Sequence, residues 1–111
     1  MQTQFLRLAE GTLAYTDYGG QGELALMLPG LLALRSEYRV LGPALAQAGY
    51  HAVAADLRGH GESSVGWPAY DVPAVGRDIL ALIEHLGGPA HVITTSFSAG
   101  PGVMTWAGPP R

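Results

Sequence analysis

The chain has 111 residues, of which 48% are hydrophobic and 14% charged, with a formal net charge of −3 and a pI near 5.7. This is a folding composition rather than a disordered one, and the length suits one small domain burying roughly two-thirds of its unfolded surface. Mild acidity with six scattered basic residues excludes an electrostatic nucleic-acid footprint; the lack of cysteine excludes disulfides, zinc–thiolate centres and thiol nucleophiles.

The opening "MQTQFLRLAE" has no basic region followed by an apolar one, so it does not read as a secretory signal. The longest apolar run, Leu24 to Leu34, is interrupted by Pro29 and Gly30 and reaches only about half of the ~20 residues that a membrane span needs. A cytoplasmic protein without a membrane partner is expected.

In chain order, "QFLRLAEGTLAYTDYGG" alternates with period two on each side of Glu10-Gly11, which predicts two antiparallel strands and a tight turn. Phe5, Leu6, Leu8, Leu13, Tyr15 and Tyr18 supply the bulk. "ELALMLP" is a continuous apolar run, as expected of a strand buried on both faces of a parallel sheet. In "GLLALRSEYRVLGPALAQAGY", Tyr38, Leu41, Leu45 and Ala48 recur at helical spacing, with Ser36 as N-cap and Gly49 as terminator. Pro43 should kink or restart that helix. "HAVAAD" is a second short parallel-type strand, and "LRGHGESSVGWP" is a polar, glycine-rich loop. "AYDVPAVGRDILALIEHLGG" places Val75, Ile79, Leu82, Ile83 and Leu86 on one helical face, with Gly87-Gly88 as a stop. "HVITT" is a third parallel-type strand. The order β-β-β-α-β-α-β predicts an α/β sheet with crossover connections, the parallel strands lying near 24–28, 51–55 and 90–95.

Three stretches carry the chemistry. Ser96-Phe97-Ser98-Ala99-Gly100 follows a strand and approximates the G-x-S-x-G turn, in which small residues let the backbone bend sharply and expose a nucleophile. Ser98 is then the nucleophile position, with Ser96 in place of the first glycine; an ordinary serine-rich turn would read the same way. Pro29-Gly30-Leu31 also follows a buried strand. Its backbone N–H groups suit an oxyanion donor beside the N–H of Ala99, and equally a loop that uses Gly and Pro for geometry alone. "DLRGHGESS", Asp56 to Ser64, follows the next strand. Gly59-His60-Gly61 resembles the start of a dinucleotide fingerprint, but Ser64 stands where the third glycine belongs and the loop follows the second parallel strand rather than the first.

Taken in order, "LMLPG", "LGPALAQAGYHAVAADLRGHGESS" and "YDVPAVGRDILALIEHLGGPAHVITTSFSAG" resemble the N-terminal part of an α/β-hydrolase of the serine-nucleophile type, from about residue 5 to residue 100. The resemblance implies that residues 1–100 form a partial α/β-hydrolase domain and that 101–111 are a divergent tail. It implies Ser98 as nucleophile and the N–H groups of Leu31 and Ala99 as the oxyanion hole. Pro29 stands where many members carry histidine. The implied activity is hydrolysis of an ester or similar bond in a small-molecule substrate, with no cofactor and no metal.

The triad order in this fold is nucleophile, acid, histidine. After Ser98 the sequence reads "AGPGVMTWAGPPR", without an acid or a histidine. His51, His60, His85 and His91 all precede it, and His60 in the glycine-rich loop is the least unsuited to act as a substitute base. Whether the chain is an enzyme by itself is therefore open. The competing expectation is an inactive, truncated fragment that self-associates through the free edge of its last strand or binds a partner.

Overall fold

The computed structural model of the protein describes residues 2–30 and 32–94. They form a five-stranded sheet in the order β1-β2-β4-β3-β5. β1 (Gln4–Arg7) and β2 (Thr12–Gly19) form the antiparallel hairpin that their alternation predicts, Gln4 opposite Tyr15 and Arg7 opposite Thr12. The turn is closed by the Leu8 N–H donating to the Gly11 carbonyl at 2.8 Å. β2 runs antiparallel to β4 (His51–Ala55), and β4 runs parallel to β3 (Leu24–Leu28). β5 (Ala90–Thr94) adds parallel to the other side of β3.

All five residues of β3 are buried, because both faces of the sheet are covered. Alternating side chains go to opposite faces. Leu24, Leu26 and Leu28 join Leu13, Val53, Val75, Ile79 and Leu82 in the larger core. Met27 joins Tyr38, Ala52 and Ala54 in a smaller one, edged by Tyr18, Leu45 and Ala46.

Helix α2 (Val72–His85) covers the larger core with Val75, Ile79, Leu82 and Ile83, the face read from the sequence. Its start is fixed by Asp71, whose carboxylate accepts from the Ala74 N–H at 2.9 Å, and by Pro73 in the first turn, where no N–H is needed. Gly87 at φ 86° ends it in a Schellman motif: the Gly87 N–H donates to Glu84 O and the Gly88 N–H to Ile83 O.

The preceding helical segment restarts, as Pro43 predicts, but without the expected Ser36 cap. A 3-10 turn spans Arg35–Tyr38, with Ser36 inside it and no side-chain cap, and helix α1 spans Leu41–Gln47. The cause is Pro43: a continuous helix would drive its ring against the Arg39 carbonyl. Breaking at Val40 puts Pro43 in the first turn of a new helix instead. The buried contact of α1 is Gly42, and a Cβ there would lie 2.4 Å from Tyr18 Cδ2. Leu41 and Ala48, expected on the inner face, are exposed.

Candidate active site at the carboxyl edge of the sheet

β3, β4 and β5 start and finish level, with Leu24 beside both His51 and Ala90, and Leu28 beside Thr94. Three connections therefore leave one edge of the sheet: the chain from Pro29, the chain from Asp56, and the chain after Thr94. In open α/β sheets this carboxyl edge is where sites form. Leu31, Ser98 and Ala99 lie outside the described residues. Gly30 and Leu32, on either side of Leu31, are described, and the described residues end at Thr94, four positions before Ser98 in the sequence.

The loop Asp56–Ser64 is stitched into the sheet. Ser63 Oγ accepts from the Ala14 N–H at 2.9 Å and donates to the Asp56 carbonyl at 2.9 Å. Ser64 Oγ accepts from the Thr12 N–H at 2.8 Å. Asp56, 2% exposed, receives the Arg35 N–H at 2.8 Å on Oδ1. Its Oδ2 takes the Arg35 guanidinium and the Glu62 N–H. Arg35 also donates from Nε to Thr16 at 2.9 Å, and from Nη2 to Thr3 and Glu62 at 2.7 Å each. Burial alone would lower the Arg35 pKa, but the hydrogen bonds to Glu62 and Asp56 outweigh it and raise the value. The hydrogen bond from Arg35, then that from Thr3, holds the exposed Glu62 carboxyl below its ordinary range.

Arg58, in the same loop, donates from Nε and Nη2 to the two oxygens of Asp78 on α2 and from Nη1 to the Ala69 carbonyl, all at 2.7 Å. Its guanidinium carbon lies 4.2 Å from the Trp67 ring centroid, within cation–π range. The hydrogen bond to Asp78 raises the Arg58 pKa against the effect of burial. Neither Arg35 nor Asp78 stood out in the sequence, since their partners lie 21 and 20 residues away.

The loop after β3 is held at both ends. At its far end Arg35 is clamped to Asp56. Near its start the Leu32 N–H donates to His60 Nε2 at 3.1 Å. Leu32 sits at φ 67°, a left-handed conformation that costs a non-glycine residue about 1–3 kcal/mol. The other histidines are also engaged: His51 Nε2 lies 2.9 Å from Asp17, His91 Nε2 3.2 Å from Glu23 and His85 Nε2 3.4 Å from the Tyr15 hydroxyl. A cleft of about 470 Å³ opens beside the Arg35 clamp, between Thr16, Tyr18 and Asp56 and the cationic side chains of Arg35 and Arg39. Among the described residues no three His, Asp or Glu side chains gather as metal ligands would, and no helix is long and apolar enough to cross a membrane.

Comparison with known proteins agrees with this geometry. Residues 26–106 match the family model of the alpha/beta hydrolase fold. The chain is 33% identical over 91 residues to an AB hydrolase superfamily protein of Gibberella zeae, covering 80% of this chain and 32% of that one. It is 36% identical over 66 residues to epoxide hydrolase A of Mycobacterium tuberculosis, covering 58% of this chain and 20% of that one. Among solved structures, an epoxide hydrolase from an endophytic Streptomyces superposes with a TM-score of 0.86 at 28% identity, over 94% of this chain and 32% of that one. The epoxide hydrolase VrEH1 from Vigna radiata gives 0.84 at 28% identity, over 94% and 34%. The chain thus spans a third or less of the length of these relatives, apart from the 34% of the Vigna enzyme. With the family model matching well over half of its residues, the chain belongs to the α/β-hydrolase fold family.

Proposed function

We propose that this chain carries the nucleophile-bearing part of a serine hydrolase site that acts on acyl bonds, such as esters, in small molecules. The observation that supports it is the register of β3 and β5. With Leu28 beside Thr94, the Pro29–Gly30 turn and the chain leading to Ser98 leave neighbouring strands at one edge. Strands in a sheet lie about 4.8 Å apart, so donors from the two connections can converge on one oxygen. In this reading Ser98 Oγ bonds to the acyl carbon while the carbonyl electrons move to oxygen, where the N–H groups of Leu31 and Ala99 receive the charge. The leaving alkoxide departs when the carbonyl re-forms, and water releases the acyl group from Ser98. The Oγ proton needs a base, and the reading assigns that role to no residue of this chain.

Several relatives are named epoxide hydrolases. A serine at the nucleophile position favours an acyl substrate instead. Opening an epoxide with a hydroxyl leaves an ether on the protein, which water does not cleave; acyl transfer leaves an ester, which it does. Imidazole in the buffer can stand in for the absent base. Incubation with an activated short-chain ester, acid quench and mass spectrometry of the Ser98 peptide should then show an acyl group on Ser98, and an alkyl epoxide should leave Ser98 unmodified. Acylation spread over other residues, with Ser98 spared, rejects the reading. We also propose that β5, the outer strand of the described sheet, lets copies of the chain associate.

A further inference from the structure

The one histidine in the glycine-rich loop is bonded through both ring nitrogens, and the two bonds together determine its tautomer. Nε2 faces the Leu32 backbone N–H at 3.1 Å and must accept. Nδ1 faces the Arg58 carbonyl, which can only accept, at 3.0 Å. A neutral imidazole has one donor and one acceptor nitrogen, so the arrangement is satisfied by the Nδ1–H tautomer alone. The backbone sets this up: Gly59 at φ 75° and Gly61 at φ 52° bend the loop on each side of His60, and the His60 N–H closes a turn onto the Leu57 carbonyl at 3.0 Å.

We propose that His60 is a positioning residue for the loop that follows β3: its Nδ1–H tautomer holds the Leu32 N–H and so fixes the backbone next to Leu31. Leu32 is the one non-glycine described residue at positive φ; the turn around it is closed by the Ala33 N–H on the Gly30 carbonyl at 3.0 Å, and a second hold comes from outside that turn. The Leu32 side chain is 86% exposed and provides no packing to supply it. The polar contact of its N–H is His60, which is anchored in turn to the carbonyl of Arg58, a residue locked to α2 through Asp78. The chain of contacts runs from helix α2 through Arg58 and His60 to the β3 loop. With Nε2 occupied, His60 cannot serve as the base for Ser98 while it holds the loop.

The importance of this loop for catalysis rests on the acyl-hydrolase reading above, but the experiment reads the hydrogen bond itself, whether or not Ser98 reacts. In the 111-residue chain labelled with 15N-histidine, long-range proton–nitrogen spectra above the histidine titration range should show His60 as a single Nδ1–H tautomer. The Leu32 amide should exchange with solvent about tenfold faster in His60→Ala than in the parent. His60→Gln, whose Oε1 can reach the Leu32 N–H, should restore most of that protection; His60→Asn, one methylene shorter, should not. An Nε2–H tautomer overturns the proposal, and so does equal Leu32 exchange in the parent and His60→Ala. The tautomer measurement needs no variant, so it decides the matter even if His60→Ala does not fold.

Discussion

Arg58 and Asp78 meet through two parallel hydrogen bonds of 2.7 Å, Nε to Oδ2 and Nη2 to Oδ1, with side chains only 3% and 6% exposed. This pair joins the loop after β4 to helix α2. Among the described residues no buried side-chain nitrogen or oxygen lacks a partner, so removing either member leaves an orphan charge. Asp78→Ala should lower the unfolding free energy by about 3–5 kcal/mol, a large share of the 5–15 kcal/mol typical of a domain. The double change Arg58→Met with Asp78→Leu should lose less than Asp78→Ala, because neither charge then remains buried. Urea unfolding followed by circular dichroism measures both, and a double variant weaker than the single one rejects the account.

The frame was legible in the sequence because it depends on local periodicity. The unbroken apolar run of β3, the 3-4 spacing of Val75, Ile79, Leu82 and Ile83, and the Gly87-Gly88 stop all appear in the structure as read. The family resemblance also holds. The restart at Pro43 was half legible: the proline signals a break, but its position in the new helix depends on Gly42 meeting Tyr18, a contact across 24 residues. The clamps were not legible. The stretch "DLRGHGESS" contains both Asp56 and Arg58, yet nothing local says that one closes on Arg35 and the other on α2. The candidate site stays a sequence reading at Leu31, Ser98 and Ala99, while the structure describes the sheet up to Thr94, the loop after β3 on either side of residue 31, and the loop after β4.

Gly61 sits at φ 52°, and a Cβ there would lie 2.3 Å from Asp56 Oδ2. That oxygen receives both Arg35 and the Glu62 N–H, so it cannot yield without opening the clamp. Gly49 is the natural control: its φ is 101°, but nothing lies within 4 Å of its Cβ position. Gly49→Ala should lose only the backbone term of about 1–2 kcal/mol, and Gly61→Ala clearly more. Equal melting temperatures for the two variants contradict the packing argument.

The Glu62 carboxyl is held below its ordinary pKa by the hydrogen bonds from Arg35 and Thr3. Its folded value being the lower one, the stability it contributes is fully present above the unfolded value of about 4.3 and fades as pH falls through the folded one. Urea midpoints measured from neutral to acid pH should therefore fall less steeply in Glu62→Gln than in the parent over that acid range. The carboxylate is 58% exposed, so added salt should shrink the difference. Parallel pH profiles for the two proteins contradict a contribution from this pair.

All four histidines are held by other groups, and none follows Ser98 in the sequence. Removing the triad histidine in a serine protease costs on the order of a millionfold in turnover. Without added imidazole, the 111-residue chain should therefore hydrolyse activated short-chain esters no faster than its Ser98→Ala variant. Initial rates against substrate concentration give the comparison. Saturable, Ser98-dependent turnover in plain buffer means that one of these histidines leaves its partner to act as base, and His60 would be the first to examine.

β5 lies outermost on its side of the described sheet, next to β3. Its sequence, Ala-His-Val-Ile-Thr, has no Asp, Glu, Lys or Pro, the residues that commonly protect sheet edges from pairing with another chain. Val92 and Ile93 are only partly buried, one packing at the margin of each core. A second copy could pair with this edge and cover both side chains at once. Sedimentation velocity over the micromolar range should thus show a weight-average mass that rises with concentration. Ile93→Lys, which sets a charge at the margin of the smaller core beside Met27, should shift that rise to higher concentration while far-ultraviolet circular dichroism reports whether the fold survives. A parent chain that stays monomeric throughout the range rules out pairing through β5.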